Sequence, residues 1–293
     1  MAAFTAGQPQ AAAGGQVPMS GASSPVDPDA AFQAELFKTF IGLAPEYLTN
    51  IRQSLREFRK IVSEADPLPH LLELYCRVHA LAGSAGIAGL HYVSEMTAAL
   101  AVLLKDLYDK PKRINGYTVR TVADAIDVIG MLFQAELDPD WHTPSAIRIL
   151  LVDDDAHSRR AVLHSLELVA LKAVSLQCPR QALELVKETV YDLILLDAPM
   201  SEMGGFELCT RIHAEPMNRT TPVIFVSAMT DFTSRARLTL NGGADLIGKP
   251  FLFSELGVKA LTHVRRGQVA KPCTMPRLCA TLALRRVSDS RRG

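Results

Sequence analysis

The sequence predicts two folded units in series, an all-α helical bundle and then a parallel β-sheet covered by helices on both faces. Two observations support this division. Between residues 28 and 137 the apolar residues recur at helical spacing, and no alternating strand pattern interrupts them. From residue 147 onwards, short apolar runs bounded by turn residues alternate with amphipathic stretches, which is typical of a doubly wound sheet.

The predicted bundle, residues 28–137, follows a leader that we expect to be disordered. Residues 1–27 are rich in Ala, Gly, Gln, Ser and Pro, so they bury too little apolar surface to offset the entropy lost on ordering. Within the bundle, turn residues in "ADPLP" and "DKPKRING" interrupt the helical pattern. Helices are expected near residues 29–42, 46–63, 69–86, 91–109 and 117–136.

The second unit, residues 147–264, follows a short predicted linker at 138–146 that contains two prolines. Its strands are predicted from "IRILLV" at 147–152, "DLILL" at 192–196, "PVIFV" at 222–226 and "ADLIG" at 244–248, with a weaker strand in "LKAVSL". Helices are expected near residues 156–169, 179–189, 205–214, 232–241 and 253–264. The rest, residues 265–293, has no clear period and is predicted to be a disordered basic tail.

The charge distribution argues against a nucleic-acid-binding core. The 293 residues carry no net charge, but the tail from Arg265 has eight basic residues against Asp289 alone, a balance of +7. Residues 1–264 therefore carry −7. The tail could serve a nucleic-acid or membrane-surface effector, but a solvated end is the simpler interpretation because it has no recognisable binding fold.

Other features of composition predict a soluble, cytoplasmic protein. The longest apolar run of the body, "AALAVLL" at 98–104, is too short to span a membrane. No Lys or Arg precedes Lys38, so the charged start of a secretory signal is missing. The five cysteines form no metal-binding spacing and fit a reducing compartment; they are Cys76, Cys178, Cys209, Cys273 and Cys279.

Polar residues follow the predicted strands where each one ends. The first strand runs into "DDD" at 153–155, the third ends in Asp197, the fourth in Ser227, and the fifth is followed by Lys249. Because ligands bind beyond the carboxyl ends of parallel strands, these side chains should share one crevice. Acidic residues at strand ends can also be solvated turn residues, but that interpretation is weak for so many matched positions.

Clustered carboxylates repel each other, and a divalent cation with a preference for oxygen ligands, most plausibly Mg²⁺, resolves that conflict. A cation, an ammonium and a hydroxyl together suit the oxygens of a phosphoryl group. One carboxylate oxygen is then left to attack in line. The pattern therefore predicts phosphoryl transfer at this edge of the sheet.

Residues 147–264 resemble the receiver domain of two-component response regulators, through "LLVDDD", "DLILLDAPMSEMGG", "VIFVSA" and "GADLIGKPF". The resemblance implies a flavodoxin-like sheet of strand order 2-1-3-4-5 and an aspartyl phosphate on Asp197. It also implies that Mg²⁺ is bound directly by Asp154, Asp197 and the main-chain carbonyl of Pro199, with Asp153 acting mainly through water.

By the same resemblance, Ser227 would hydrogen-bond the phosphoryl group, Lys249 would pair with it, and the bond before Pro250 would be cis. Three positions depart from the family pattern, which has proline, aspartate and an aromatic residue where this chain has Ser201, Gly204 and Leu246. The first two departures predict a looser loop after Asp197. Because of the third, this chain lacks the aromatic residue that normally moves to report phosphorylation in the family.

His79 is the second candidate phosphoacceptor. It lies beside an apolar helical stripe and one turn before Gly83, and helical glycines cost about 1 kcal/mol each relative to alanine. Small residues here could simply permit close helix packing around a semi-buried histidine. A phosphate-cradling loop is disfavoured because no strand precedes "GSAGIAG" and no Lys-Ser or Lys-Thr follows it. The third possibility is that the imidazole is a nucleophile.

The helical unit resembles a histidine phosphotransfer (HPt) domain through the short run from His79 to Ala85, "HALAGSA". The family signature places a lysine three residues after the histidine, where this chain has Ala82. A hydrogen bond to a charged group contributes about 1.5–3 kcal/mol, so this loss could slow phosphorylation without preventing it.

Together the two resemblances predict a phosphorelay protein that passes phosphoryl groups between His79, Asp197 and partner proteins. The chain shows neither a P-loop nor a kinase ATP site, so we expect it to depend on an external sensor histidine kinase and on other receiver or HPt proteins. The alternative is a phosphorylation-switched receiver adaptor whose bundle is only a docking surface. No specific nucleic-acid binding is expected.

Overall fold

The computed structural model of the chain describes residues 28–61, 66–137, 146–228 and 242–270. The predicted leader, nearly all of the predicted linker, the predicted helix at 232–241 and the tail beyond 270 lie outside these ranges. Within them, no helix is both long enough and apolar enough to cross a lipid bilayer.

The N-terminal region is a bundle of four long helices that pack in a ring, each against the next. A single 3₁₀ turn, Pro111–Arg113, precedes the last of them. That last helix begins with a capping box, because Asn115 Oδ1 accepts from the Thr118 amide and the Thr118 hydroxyl oxygen accepts from the Asn115 amide. The four helices are α1 Pro28–Ile61, α2 Leu68–Ile87, α3 His91–Asp109 and α4 Gly116–Glu136.

The prediction of two helices between residues 29 and 63 was wrong, since α1 is a single helix with Pro45 inside it. Proline removes one backbone hydrogen bond and costs roughly 3 kcal/mol inside a helix. The apolar face nevertheless continues across it, with Ala44 and Ile51 both buried against the bundle core. Tertiary packing therefore outweighs the local break.

The C-terminal region is a parallel five-stranded sheet of order β2-β1-β3-β4-β5, which confirms the predicted strand order. The strands are β1 Ile149–Val152, β2 Ala173–Leu176, β3 Leu193–Asp197, β4 Val223–Ser227 and β5 Asp245–Gly248. β1, β3 and β4 are buried throughout, as expected for strands covered on both faces. In the register Asp197 lies beside Val226, and Ser227 beside Gly248, so the strand ends meet at one edge.

Alternate residues of the strands face two separate apolar cores, because side chains alternate across a sheet. Helices α6 Pro179–Glu188 and α7 Gly205–Ala214 cover the face that includes Leu150 and Leu196. Helices α5 Ala156–Glu167 and α8 Phe253–Ala270 cover the other face. All four lie close to their predicted positions, except at the end of α8.

The predicted boundary between a helix at 253–264 and a disordered tail from 265 was wrong. Helix α8 continues to Ala270, and Arg265 and Gln268 are both buried in it. The helix has no solvent face between residues 254 and 262 because the sheet and α5 cover one side and α3 and α4 of the bundle cover the other. One continuous apolar core therefore runs from the bundle into the sheet.

Candidate functional site

Three carboxylates meet at the carboxyl edge of the sheet, where β1 and β3 end side by side. Asp153 is fully buried, Asp197 is 4% exposed, and Asp154 is exposed. Each contributes a carboxylate oxygen, and these oxygens lie within 4.8 Å of one another. In this group, hereafter the acidic cluster, two carboxylates are therefore buried and the third faces solvent.

Asp153 is held in place by the start of α5. Its Oδ1 accepts from the Asp155 amide at 2.8 Å, and its Oδ2 accepts from the Ser158 hydroxyl at 2.5 Å. Asp155 in turn caps α5 by accepting from the Ser158 amide at 2.7 Å. Sequence reasoning missed Ser158 and also Arg159, which donates to the Asp153 carbonyl at 2.8 Å. The Asp-x-x-Ser spacing at a helix start was the available signal.

The Lys249 ammonium joins the two buried carboxylates. Its Nζ lies 2.9 Å from Asp197 Oδ1 and 3.2 Å from Asp153 Oδ2. Burial raises the pKa of the Asp197 carboxyl, against the opposing effect of Lys249. Burial opposes the charged form of Lys249, but its hydrogen bond to Asp197 and the two carboxylate charges raise its pKa. One ammonium faces three carboxylates, so the acidic cluster retains an excess of negative charge.

The loop after Asp197 is tied to the acidic cluster by one of its unusual residues. The Ser201 amide donates to Asp154 Oδ2 at 2.9 Å, and a proline at this position has no N–H to donate. At the other end of the loop, Gly204 is the N-cap of α7 and supplies no side-chain cap. Relative to the family pattern, Ser201 therefore adds an amide hydrogen bond to Asp154, and Gly204 lacks the side chain with which an aspartate could cap α7.

Gly205 is a third residue whose role sequence reasoning missed. A Cβ at this position would lie 2.1 Å from the Asp197 carbonyl oxygen, so no larger residue fits without moving the end of β3. The Gly205 amide donates to the Ala198 carbonyl at 2.9 Å. This glycine therefore lets α7 begin directly against the backbone of Asp197.

Ser227 and Lys249 are linked through the backbone at the ends of β4 and β5. The Lys249 amide donates to the Ser227 carbonyl at 2.8 Å, and the Lys249–Pro250 bond is cis, as expected. Ser227 is 1% exposed. Leu246, in the position of the family's aromatic residue, is 8% exposed and packs in the core beneath α6 and α7.

His79 lies on the exposed side of α2, away from the buried stripe of that helix. Its ring stacks on the Tyr75 ring with centroids 5.5 Å apart. The four stripe residues identified from sequence are fully buried; they are Leu74, Val78, Leu81 and Ala85. Among the described contacts, no hydrogen bond, ion pair or ring contact joins His79 to the acidic cluster.

The two glycines near His79 have different surroundings. A Cβ on Gly86 would lie 3.1 Å from Ser94 Oγ, so Gly86 serves close packing of α2 against α3. A Cβ on Gly83 would have no described heavy atom within 4 Å, so helix packing does not account for it. Gly83 instead leaves open space one turn from the imidazole.

Comparison with known proteins identifies the C-terminal region. Residues 149–262 match the family model of the response regulator receiver domain. They form a receiver domain. The matched residues include the acidic cluster, Ser227 and Lys249.

Several regulatory proteins resemble the receiver domain in sequence. NisR, a nisin biosynthesis regulatory protein of Lactococcus lactis, is 34% identical over 119 residues, which are 41% of this chain and 51% of NisR. The transcriptional regulatory protein SrrA of Staphylococcus aureus is 32% identical over 120 residues, 41% of this chain and 48% of SrrA. The match to RcaC of Microchaete diplosiphon, 29% identical over 119 residues and 41% of this chain, covers only 18% of RcaC. The chain thus spans about half or less of these relatives.

Solved structures resemble the same region. The chemotaxis protein CheY4 of Vibrio cholerae is 25% identical, with a TM-score of 0.38, and the match covers 41% of this chain and 99% of CheY4. A Francisella response regulator receiver domain is 24% identical, with a TM-score of 0.38, covering 41% of this chain and 98% of that domain.

Proposed function

We propose that the protein is a phosphorelay protein in which Asp197 accepts a phosphoryl group from a phosphohistidine. The observation that carries this proposal is the buried Asp197 carboxylate, held by Lys249 within the acidic cluster. An Asp197 oxygen attacks the phosphorus in line, an O–P bond forms as the P–N bond breaks, and the electron pair returns to the imidazole. The product on Asp197 is an acyl phosphate.

Mg²⁺ fits the acidic cluster because all the donors are oxygens and the carboxylates outnumber the nearby ammonium. Asp154, Asp197 and the Pro199 carbonyl would hold the ion directly, and Asp153 would act through water. The ion supplies positive charge that offsets the phosphoryl oxygens. Receiver domains in general bind Mg²⁺ at such an acidic pocket.

Lys249 and Ser227 would stabilise the phosphorylated form. Lys249 lies within hydrogen-bonding distance of Asp197, so its ammonium can shift to a phosphoryl oxygen with little movement. Ser227, at the end of the neighbouring strand, would place its hydroxyl as a donor to the same group. Both residues would stabilise negative charge on the phosphoryl oxygens, which is present only once the phosphoryl group has reached Asp197.

His79 would be the second phosphoacceptor and would exchange the group with receiver domains. Its exposure and the open space at Gly83 support this role, because a partner's carboxylate must come within bonding distance of a ring nitrogen. Ala82 leaves the imidazole without the lysine of the HPt signature, so slower transfer is expected. The partners would be a sensor histidine kinase and other receiver or HPt proteins.

The alternative is an adaptor in which only Asp197 is phosphorylated and the bundle serves as a docking surface. Ala82 favours it, and so does the large contact that the bundle makes with α8 of the receiver domain. Under this alternative, His79→Gln leaves the flow of phosphoryl groups unchanged.

Transfer of radiolabelled phosphate from a phosphorylated histidine kinase tests both possibilities. The full chain should acquire a label that hydroxylamine removes, and Asp197→Ala should abolish that label. His79→Gln should abolish a second label that is labile to acid and stable to base. Asp127→Asn and His91→Gln, at exposed positions of the bundle, are the matched controls.

Complete retention of label by the double variant Asp197→Ala, His79→Gln would overturn the proposed assignment. An unchanged flow in His79→Gln alone would select the adaptor.

A further inference from the structure

The bundle holds the receiver domain through helix α8, which packs on α3 and α4. Near the start of α8 the Ser254 hydroxyl donates to Asp106 Oδ2 at 2.6 Å, and near its end Arg265 Nε donates to Glu95 Oε2 at 3.0 Å. Because Asp106 lies near the end of α3 and Glu95 near its start, the two helices are antiparallel. These contacts fix the position of the receiver domain along α3.

The contact is packed like a protein interior and is costly to open. Val258 and Leu261 of α8 belong to the apolar core that the bundle shares with the receiver domain. Arg265 is 5% exposed, and its guanidinium lies 4.3 Å above the centre of the Tyr92 ring. Separation of the two units would expose apolar surface and leave the Arg265 charge without its partner. The receiver domain is therefore docked in one position on the bundle.

Helix α2, which carries His79, lies on a different flank of α3. The Ser94 hydroxyl of α3 donates to the Ala82 carbonyl of α2 at 3.0 Å, whereas the two α3 carboxylates described above face α8. Ala98 and Val102 lie on the helix surface between these two flanks, and both are exposed. A solvent-facing strip of α3 therefore separates the helix of His79 from the receiver domain.

The phosphorylation site lies beyond the far end of α3. The Pro250 carbonyl accepts from Arg113 Nη1 at 2.8 Å, and Arg113 belongs to the 3₁₀ turn that follows α3. Lys249, directly before Pro250, is bonded to Asp197. The reacting edge of the sheet is therefore level with the C-terminal end of α3.

His79 lies closer to the start of α3. It precedes Ala82 by one turn, and Ala82 contacts Ser94. At about 1.5 Å per residue, His79 and the end of α3 are roughly 15 Å apart along the helix axis. Two helix-to-helix spacings of about 8–10 Å each add a comparable distance across α3. His79 and Asp197 are therefore roughly 20 Å apart, whereas reacting atoms must approach to about 3–3.5 Å.

We infer that His79 exchanges phosphoryl groups only with receiver domains of other molecules, and that Asp197 of its own chain is excluded from this exchange. The inference rests on the proposed function. While α8 stays docked, the reacting edge of the chain's own sheet cannot reach the imidazole. In the exchange with another receiver, the P–N bond to His79 forms as the O–P bond of the acyl phosphate breaks, and the electron pair returns to that receiver's carboxylate. The two acceptors of one chain therefore take part in separate transfers.

The test follows label from Asp197 to His79 in the full chain with Mg²⁺. Asp197 is phosphorylated with radiolabelled acetyl phosphate, the excess is removed, and label that is labile to acid and stable to base is measured over time. Exchange between molecules is second order, so a tenfold dilution should lower the fraction transferred per minute about tenfold. Exchange within one chain would not depend on concentration.

Two variants separate the acceptors. A His79→Gln chain labelled on Asp197 should pass label to an Asp197→Ala chain as fast as the wild type transfers it at the same concentration of each acceptor. His91→Gln, which removes an exposed histidine at the start of α3, should transfer label like the wild type.

The outcomes separate this inference from the proposed function. A rate that stays constant on dilution, or a wild-type rate well above that of the variant mixture, would overturn the inference and leave the proposed function standing. If neither sample transfers label, the Asp197→Ala chain is offered a different phosphorylated receiver. Label on His79 then supports the exclusion of Asp197, and its absence rejects His79 as an acceptor and the inference with it.

Discussion

Ser201 illustrates how a single departure from a family pattern can add a contact. Its amide holds the exposed carboxylate of Asp154, which is a proposed Mg²⁺ ligand. Ser201→Pro removes the N–H and should weaken Mg²⁺ binding about three- to tenfold, as expected for a partly solvated hydrogen bond to a charged group. Ser201→Ala keeps the amide and should bind Mg²⁺ like the wild type. Isothermal titration of both variants with MgCl₂ checks this, and equal affinities for the two would contradict it.

Lys249 should stabilise the metal-free protein because it is the ammonium bonded to two buried carboxylates. Lys249→Gln leaves Asp153 and Asp197 without that counter-charge, and the free energy of unfolding in EDTA should fall by roughly 2–4 kcal/mol. Saturating Mg²⁺ should restore part of this loss, since an ion that binds only the folded state stabilises it. Urea unfolding with and without Mg²⁺ measures both effects. Lys172→Gln, at an exposed position, is the control, and the same loss there would rule out the pairing as the cause.

At the level of elements, the start of α7 contains two neighbouring glycines with opposite constraints. A Cβ on Gly204 meets the Ala198 carbonyl at an ordinary 3.7 Å, whereas one on Gly205 would lie 2.1 Å from the Asp197 carbonyl. Gly204→Ser should therefore raise the free energy of unfolding by about 0.5–1 kcal/mol, by adding an N-cap and restricting the unfolded chain.

Gly205→Ala should do the reverse. It should lower the free energy of unfolding by about 2 kcal/mol or more and slow phosphorylation, because β3 must shift at the reacting residue. Thermal unfolding and phosphorylation by acetyl phosphate check the pair. A stabilised Gly205→Ala would contradict the close contact.

Elements with a strong local signal could be predicted from the sequence, and elements defined by distant packing could not. The strands were predicted within two residues of their observed bounds because buried β1, β3 and β4 are continuous apolar runs between turn residues. The prediction that α1 is divided at Pro45 was wrong because burial against the bundle outweighs the local cost of proline in a helix. The end of α8 was predicted wrongly because Arg265 is bonded to Glu95, which lies 170 positions away in the chain and could not be paired with it from the sequence.

The acidic cluster shows the same limit within a site. Strand-end positions sufficed to bring Asp153, Asp154, Asp197 and Lys249 together, since parallel strands share one carboxyl edge. The close approach of Gly205 to Asp197 depends on the path of a loop, and no periodicity encodes that path. Residue types at the strand ends therefore predict which groups meet, whereas the packing around those groups depends on the folded path of the chain.

At the scale of the whole molecule, the bundle and the receiver domain share one apolar core, so groups at their junction affect the stability of both. Glu255 is such a group. Burial raises the pKa of its carboxyl, an effect that Asp245 increases and that Lys259 and Arg113 oppose. A carboxyl with a raised pKa in the folded state favours folding below its unfolded pKa, and this contribution is lost as the pH rises through the folded value.

Glu255→Gln removes this dependence. Its free energy of unfolding should match that of the wild type at acid pH and exceed it by about 1 kcal/mol at neutral pH, where the largely buried wild-type carboxylate is charged. Glu167→Gln, whose side chain is 73% exposed, should show no such divergence. Urea unfolding of the three proteins from pH 4 to pH 8 checks this. Parallel curves for Glu255→Gln and the wild type would mean that the Glu255 carboxylate is solvated and that water enters the contact between the bundle and the receiver domain at this residue.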